Sequence, residues 1–172
     1  MSESKKMEDL LEPLKIAHRL EKEGQEFFLE SANNAKSKLV RQTFEFLAHE
    51  EDKHLTKINE FYRSLEISGE DDLPDIEDSK AEDRLVTFND NLAELKDGIS
   101  PEASDIEAYE IALKFENGAE DLYDKMYLES NNPKIKKFYK WLIDEEKMHA
   151  RLIKSCLTFA QDPTAWFQLR KG

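Results

Sequence analysis

Two stretches of this chain, 95 residues apart, carry the same residues at the same spacing, and that constrains the fold more than any single motif. Ile16-Ala17-x3-Glu21 recurs as Ile111-Ala112-x3-Glu116, and Glu50-Glu51-x2-His54 recurs as Glu145-Glu146-x2-His149. The same offset takes Phe28 to Tyr123, Phe44 to Tyr139 and Leu47 to Leu142. From lone glutamate to Glu-x2-His is 30 residues in each half. The repeated positions include glutamates and histidines on otherwise apolar stripes, so a duplicated unit explains them better than chance.

Each unit reads as a helical hairpin. Only 5 prolines and 5 glycines occur in 172 residues, which favours long helices. Apolar residues recur at steps of three and four from Leu39 through Phe44, Leu55, Ile58 and Phe61 to Leu65. They do so again from Ile135 through Phe138, Leu142, Leu152 and Ile153 to Ala160. Leu11–Asn34 and Ile106–Leu128 follow the same rule. Asn132 before Pro133 predicts a capped helix start, and Ser104 with Glu107 has capping-box spacing. Prolines, Pro13 among them, are expected to divide the chain.

Between the hairpins the texture changes. Glu66–Asp83 holds nine acidic residues and one lysine, and reads as a solvated linker. Leu85, Phe88, Leu92 and Leu95 then predict a short helix ending near Gly98. The whole crossover spans about residues 66–103, long enough to travel the length of an antiparallel bundle. The expected class is all-α: two duplicated antiparallel hairpins joined by a long crossover, in a single domain over 1–172 with a tail at 161–172. Trp166 and Phe167 in that tail predict a covered surface, expected on a second protomer of a homodimer.

A formal charge of −13 repels a phosphate backbone, so no nucleic-acid partner is expected. No apolar run is long enough for a membrane span and no secretory signal follows Met1, so the expected location is the cytoplasm. A single cysteine, Cys156, precludes a four-thiolate metal site from this chain alone.

Residues three apart on a helix project from one face, so Glu51 with His54, and Glu146 with His149, point inward beside Leu47 and Leu142. Glu21 and Glu116 lie on the apolar stripes of Ala17 and Ala112. Four carboxylates in a low-dielectric interior are strongly unfavourable unless protonated or neutralised. Two divalent cations cancel four negative charges, and two imidazoles add neutral nitrogen ligands. A metal pair about 3.5–4 Å apart, bridged by carboxylates, fits this set.

The set Glu21, Glu51-x2-His54, Glu116 and Glu146-x2-His149 resembles the ferritin-like di-iron carboxylate proteins, and within them the rubrerythrin branch, over roughly residues 10–160. The resemblance implies a ferritin-like four-helix bundle holding two iron ions, with manganese or zinc as other occupants. It implies that Glu51 and Glu146 bridge, that Glu21 with His54 caps one metal, and that Glu116 with His149 caps the other. The implied activity is that of a non-haem di-iron oxidoreductase acting on hydrogen peroxide or dioxygen, in oxidative-stress defence. A ferroxidase or iron-storage role is the alternative. Complete rubrerythrins carry a four-cysteine rubredoxin domain; this chain does not, so an external electron donor such as a separate rubredoxin is expected. They also carry a further glutamate where this chain has Ala119, whose counterpart in the first half is Gly24.

Other residues read more plainly. His18 is a weaker ligand candidate, since Leu113 replaces it in the repeat. His49 is expected at the surface, Glu120 in solvent and Cys156 in the core. Tyr123 and Tyr139 are expected to pack rather than to donate, because Phe28 and Phe44 hold the matching places.

Overall fold

The computed structural model describes residues 2–94 and 103–171. Among them every regular element is helical: α1 (Glu3–Asn34), α2 (Lys38–Ser68), α3 (Ala81–Glu94), α4 (Ala103–Glu129), α5 (Pro133–Gln161) and α6 (Pro163–Lys171). Short turns join α1 to α2 and α4 to α5, and each pair packs along its length. α1 also packs on α4, while α3 and α6 both lie against α5. This is an all-α, ferritin-like helical bundle built from two hairpins.

The expected boundaries hold within a few residues, except at the first helix. α1 begins at Glu3, capped by the Ser2 side chain, and runs straight through Pro13. An interior proline costs about 3 kcal/mol through one lost hydrogen bond and ring crowding. Here that cost is offset by docking: Leu11 and Leu14 are buried in one cluster with Leu65 and Leu73. Lys6 pairs with Glu70 at 2.9 Å. The carbonyl that Pro13 leaves unpaired belongs to Asp9, an exposed residue.

The hairpin turns are closed locally and from afar. Asn132 accepts from the backbone N–H groups of Lys134 and Ile135 at 2.9 and 3.3 Å, as its spacing predicts. The α1–α2 turn is held across the bundle, where the buried carboxylate of Asp105 accepts from the N–H groups of Lys36 and Ser37. α4 begins at Ala103, so Ser104 lies inside the helix and the expected capping box does not start it. α2 ends at Ser68, and Gly69 follows with a φ of 65°, in the positive-φ region that favours glycine.

The acidic linker is not simply solvated. A 3-10 turn (Gly69–Asp72) leads into an extended stretch, and Leu73 and Ile76 bury themselves in the lower core. The crossover is thus anchored before α3 begins. The expected helix end near Gly98, with Leu95, Pro101 and the side chain of Leu92, lies outside the described residues.

The tail differs from expectation. Its residues form α6, and Trp166 is buried against Phe159 of its own bundle, ring centroids 5.4 Å apart. The indole N–H donates to Ser155 Oγ at 2.7 Å. An indole that can satisfy its N–H on α5 needs no second protomer to cover it.

Two apolar clusters fill the bundle on either side of a polar centre. One contains Phe28 and Phe44; the other contains Tyr123 and Tyr139. No described helix is long and apolar enough to cross a membrane.

Candidate metal centre

All six expected site residues meet in the polar layer between the two clusters. Glu21, Glu51, His54, Glu116, Glu146 and His149 are each at most 2 % exposed. One ligand atom from each of Glu51, His54, Glu146 and His149 lies within 4.8 Å of the others. The imidazoles stack nearly parallel, centroids 5.0 Å apart at 14°.

The contacts sort the carboxylates into two kinds. Glu51 and Glu146 approach both histidines: His54 Nδ1 is 3.4 and 3.2 Å from them, and His149 Nδ1 is 3.1 and 3.8 Å. Within 4 Å, Glu21 approaches His54 alone (3.1 Å) and Glu116 approaches His149 alone (3.5 Å). Two shared and two private carboxylates is the division that the resemblance to rubrerythrins implies.

This layer lacks hydrogen-bond donors. Both oxygens of Glu51 and of Glu116, one of Glu146, and both ring nitrogens of His149 are buried without a partner in hydrogen-bonding geometry among the described residues. Carboxylates facing carboxylates only accept, so protons or cations must fill the gap. Burial, with the charges of Glu21 and Glu146, pushes Glu51 up to about 8. Burial also raises Glu146, helped by the charges of Glu21 and Glu116, and it raises Glu116. Burial opposes ionisation of Glu21 as well, but hydrogen bonding from a protonated Glu51 and the charge of His54 outweigh it, holding Glu21 at about 2. Both histidines are raised: burial would lower them, but Glu21 and Glu51 around His54, and Glu116 and Glu51 around His149, dominate. Without metal the centre is a proton-sharing cluster. Hard oxygen donors with two imidazole nitrogens suit a divalent transition metal, so the residues present fit a metal pair.

A second layer of carboxylates was not anticipated. Glu50 and Glu145, each just before a shared glutamate, are also buried. Glu145 accepts from Ser79 Oγ at 2.6 Å and from the guanidinium of Arg84, and its Oε2 lies 3.3 Å from His54 Nε2. These contacts and the His54 charge overcome burial and hold Glu145 at about 2. Glu50 accepts from Lys53 Nζ at 2.8 Å and pairs with Arg84 Nε at 3.2 Å. The repeated Glu-Glu dipeptide signals this layer, whereas Ser79 and Arg84 lie outside the repeat and carry no such signal. Trp141 meets His54 edge-on, with centroids 5.5 Å apart.

Some expectations need correction. The Tyr123 hydroxyl on α4 donates across the bundle to Glu21 Oε1 on α1, so it is a donor as well as a packing residue, which Phe28 at the matching place cannot be. Glu120 is half-buried and pairs with Lys147 at 3.9 Å rather than standing in solvent. His18 stays outside the cluster, lining a groove with Leu14, Ile58 and Tyr62. His49 is exposed and Cys156 is buried beside Thr43, as expected. The ring of Phe115 fills the space that a side chain at Gly24 would need: a Cβ there would sit 2.7 Å from Phe115 and 3.7 Å from Glu51.

A helical bundle with carboxylates and histidines buried between two hairpins defines a metal-binding carboxylate protein of the ferritin-like class. Within that class the chain belongs to the rubrerythrin family, whose model matches residues 12–157. No curated protein and no solved structure matches it.

Proposed function

We propose that this protein is a di-iron oxidoreductase that reacts with hydrogen peroxide or dioxygen and is reduced by a separate electron donor. The observation that carries the reading is the donor-poor layer of four carboxylates and two imidazoles, sealed between apolar clusters. Glu51 and Glu146 would bridge two irons; Glu21 with His54, and Glu116 with His149, would complete the two ends. Their distances to the histidines support that division. Bound iron would supply the change of oxidation state that peroxide or dioxygen reduction requires.

The chain's own residues prepare that chemistry. Tyr123 holds Glu21 by its hydroxyl. Glu145 faces His54 Nε2, which leaves Nδ1 turned towards the shared carboxylates. Phe28 and Phe44 on one side, and Tyr123 and Phe138 on the other, exclude bulk water.

Anaerobic Fe(II) loading with metal analysis tests the centre: two irons per chain are expected, and none would end the reading. Stopped-flow mixing with peroxide and with oxygen tests reactivity, with rapid oxidation by both expected because Ala119 adds no further carboxylate. Ala119→Glu is expected to shift the preference towards peroxide. An unmodified protein that consumes peroxide orders of magnitude faster than oxygen would refute that role for position 119.

A further inference from the structure

We infer that Arg84, on the crossover helix, is a positioning residue for the metal centre, acting through Glu145 on His54. The inference rests on the reading of the buried cluster as a metal site. Arg84 lies outside both hairpins, yet its guanidinium sits between the two outer carboxylates. It bonds Glu145 Oε2 and pairs with Glu50 through Nε at 3.2 Å. Ser79 fixes the same assembly from the start of α3: its hydroxyl donates to Glu145 at 2.6 Å and accepts from the N–H of Ala81 at 3.1 Å. α3 itself is anchored by Ala81 and Leu85, both buried.

The consequence falls on one histidine. His54 Nε2 has Glu145 as its partner at 3.3 Å, while Nδ1 faces Glu21, Glu51 and Glu146. A carboxylate locked behind one ring nitrogen selects the tautomer and fixes the ring plane, so the other nitrogen is presented as a ligand. His149 Nε2 has no partner in hydrogen-bonding geometry among the described residues, although an oxygen of Glu50 and one of Glu145 come within 4.8 Å of a ring nitrogen of His149. Two hairpins supply two outer glutamates, but the single crossover supplies one arginine. The guanidinium of Arg84 hydrogen-bonds Glu145 and lies 3.2 Å from Glu50 as an ion pair without hydrogen-bonding geometry, a double approach that a lysine ammonium does not reproduce. Arg84 therefore holds Glu145 against turning away, and the His54 end of the site is braced where the His149 end is not.

The test is an anaerobic titration of the metal-free, full-length chain with Co(II). Visible ligand-field absorption and competition with a chelator are read together. The unmodified protein should take two ions. Arg84→Met should still take two, but with one bound about 10–100-fold more weakly, the usual cost of losing an outer partner, and with altered absorption for that ion. Arg84→Lys keeps the charge but not the planar fork, and should recover only part of the affinity. Ser79→Ala leaves every charge in place and should give a smaller loss at the same position, so the idea remains testable if Arg84→Met does not fold. Unchanged affinity and absorption in Arg84→Met and Ser79→Ala would overturn the inference. So would an equal loss for both ions with unaltered absorption, which is what a purely structural role would give. Failure of the unmodified protein to bind Co(II) at all would instead bring down the metal-centre reading, and this inference with it.

Discussion

The hairpin that carries Glu21 and His54 and the hairpin that carries Glu116 and His149 present the same three ligand types at the same spacing, yet their surroundings differ. Glu21 receives the Tyr123 hydroxyl, whereas neither oxygen of Glu116 has a donor. His54 is backed by Glu145 and bordered by Trp141; His149 Nε2 has no partner. The duplication sets the ligands, and elements outside it or diverged within it set the environment. Arg84 and Ser79 come from a crossover that occurs once, and Tyr123 stands where the other half has Phe28. Sequence symmetry in the ligands therefore coexists with unequal ends.

The shared glutamates provide the largest test of that comparison. Glu51→Ala should weaken metal binding at both ends by on the order of 100-fold or more, since even outer partners cost about 10–100-fold. Glu116→Ala should weaken the His149 end and leave the His54 end near its original affinity. Metal analysis and Co(II) titration read both; an equal loss at both ends in Glu116→Ala would break the division into shared and private carboxylates.

Metal removal comes next. Loading at a free metal concentration of 100 times Kd adds about 2.7 kcal/mol by mass action, and about 2–4 °C per kcal/mol is usual for a chain of this size. The loaded protein should therefore melt several degrees higher by scanning calorimetry. Equal melting temperatures would count against the site.

The pH dependence of the metal-free protein follows from the directions of the shifts. Glu51, raised to about 8, binds its proton more tightly folded than unfolded. Its contribution is fully present below the ordinary glutamate value and is lost as pH rises through about 8. The raised histidines act in the same sense. Glu21 and Glu145, held at about 2, contribute above the ordinary value and lose that contribution as pH falls towards 2. Metal-free melting temperature should thus decline in both directions from the ordinary glutamate range. Metal binding should release protons at pH 7 and weaken as pH falls, measured as proton uptake or release during Co(II) titration. A pH-independent affinity would contradict the proton-sharing cluster.

The smallest effect sharpens the comparison most directly. Tyr123→Phe gives the second half the residue of the first and removes a hydroxyl donor that Glu21 has and Glu116 lacks. A hydrogen bond to a charged group is worth about 1.5–3 kcal/mol, so a modest drop in melting temperature is expected, with a few-fold weakening confined to the Glu21 end. No change in either would mean that the phenol only packs.

The four long helices, the cap at Asn132 and the six inward-facing ligands follow from local rules: a 3.6-residue period, few breakers and a repeat that places charge on apolar stripes. Those signals act over a turn or two of helix, so a sequence carries them openly. The outer carboxylates Glu50 and Glu145 were visible in the repeat as well, although a second glutamate beside a ligand does not say which neighbour it serves. Other features depend on partners far apart along the chain. Asp105 closes a turn at residues 36–37, Pro13 is carried inside α1 by the docking of Leu11 and Leu14, and Trp166 folds onto α5 instead of facing a second protomer. Arg84 reaches Glu50 and Glu145 from a crossover that the burial of Leu73, Ile76, Ala81 and Leu85 holds against the bundle. A lone arginine near the start of a short helix has no periodicity to betray its role; its partner is chosen by where the buried, uncompensated charges lie, and that is known only once the bundle has closed around them.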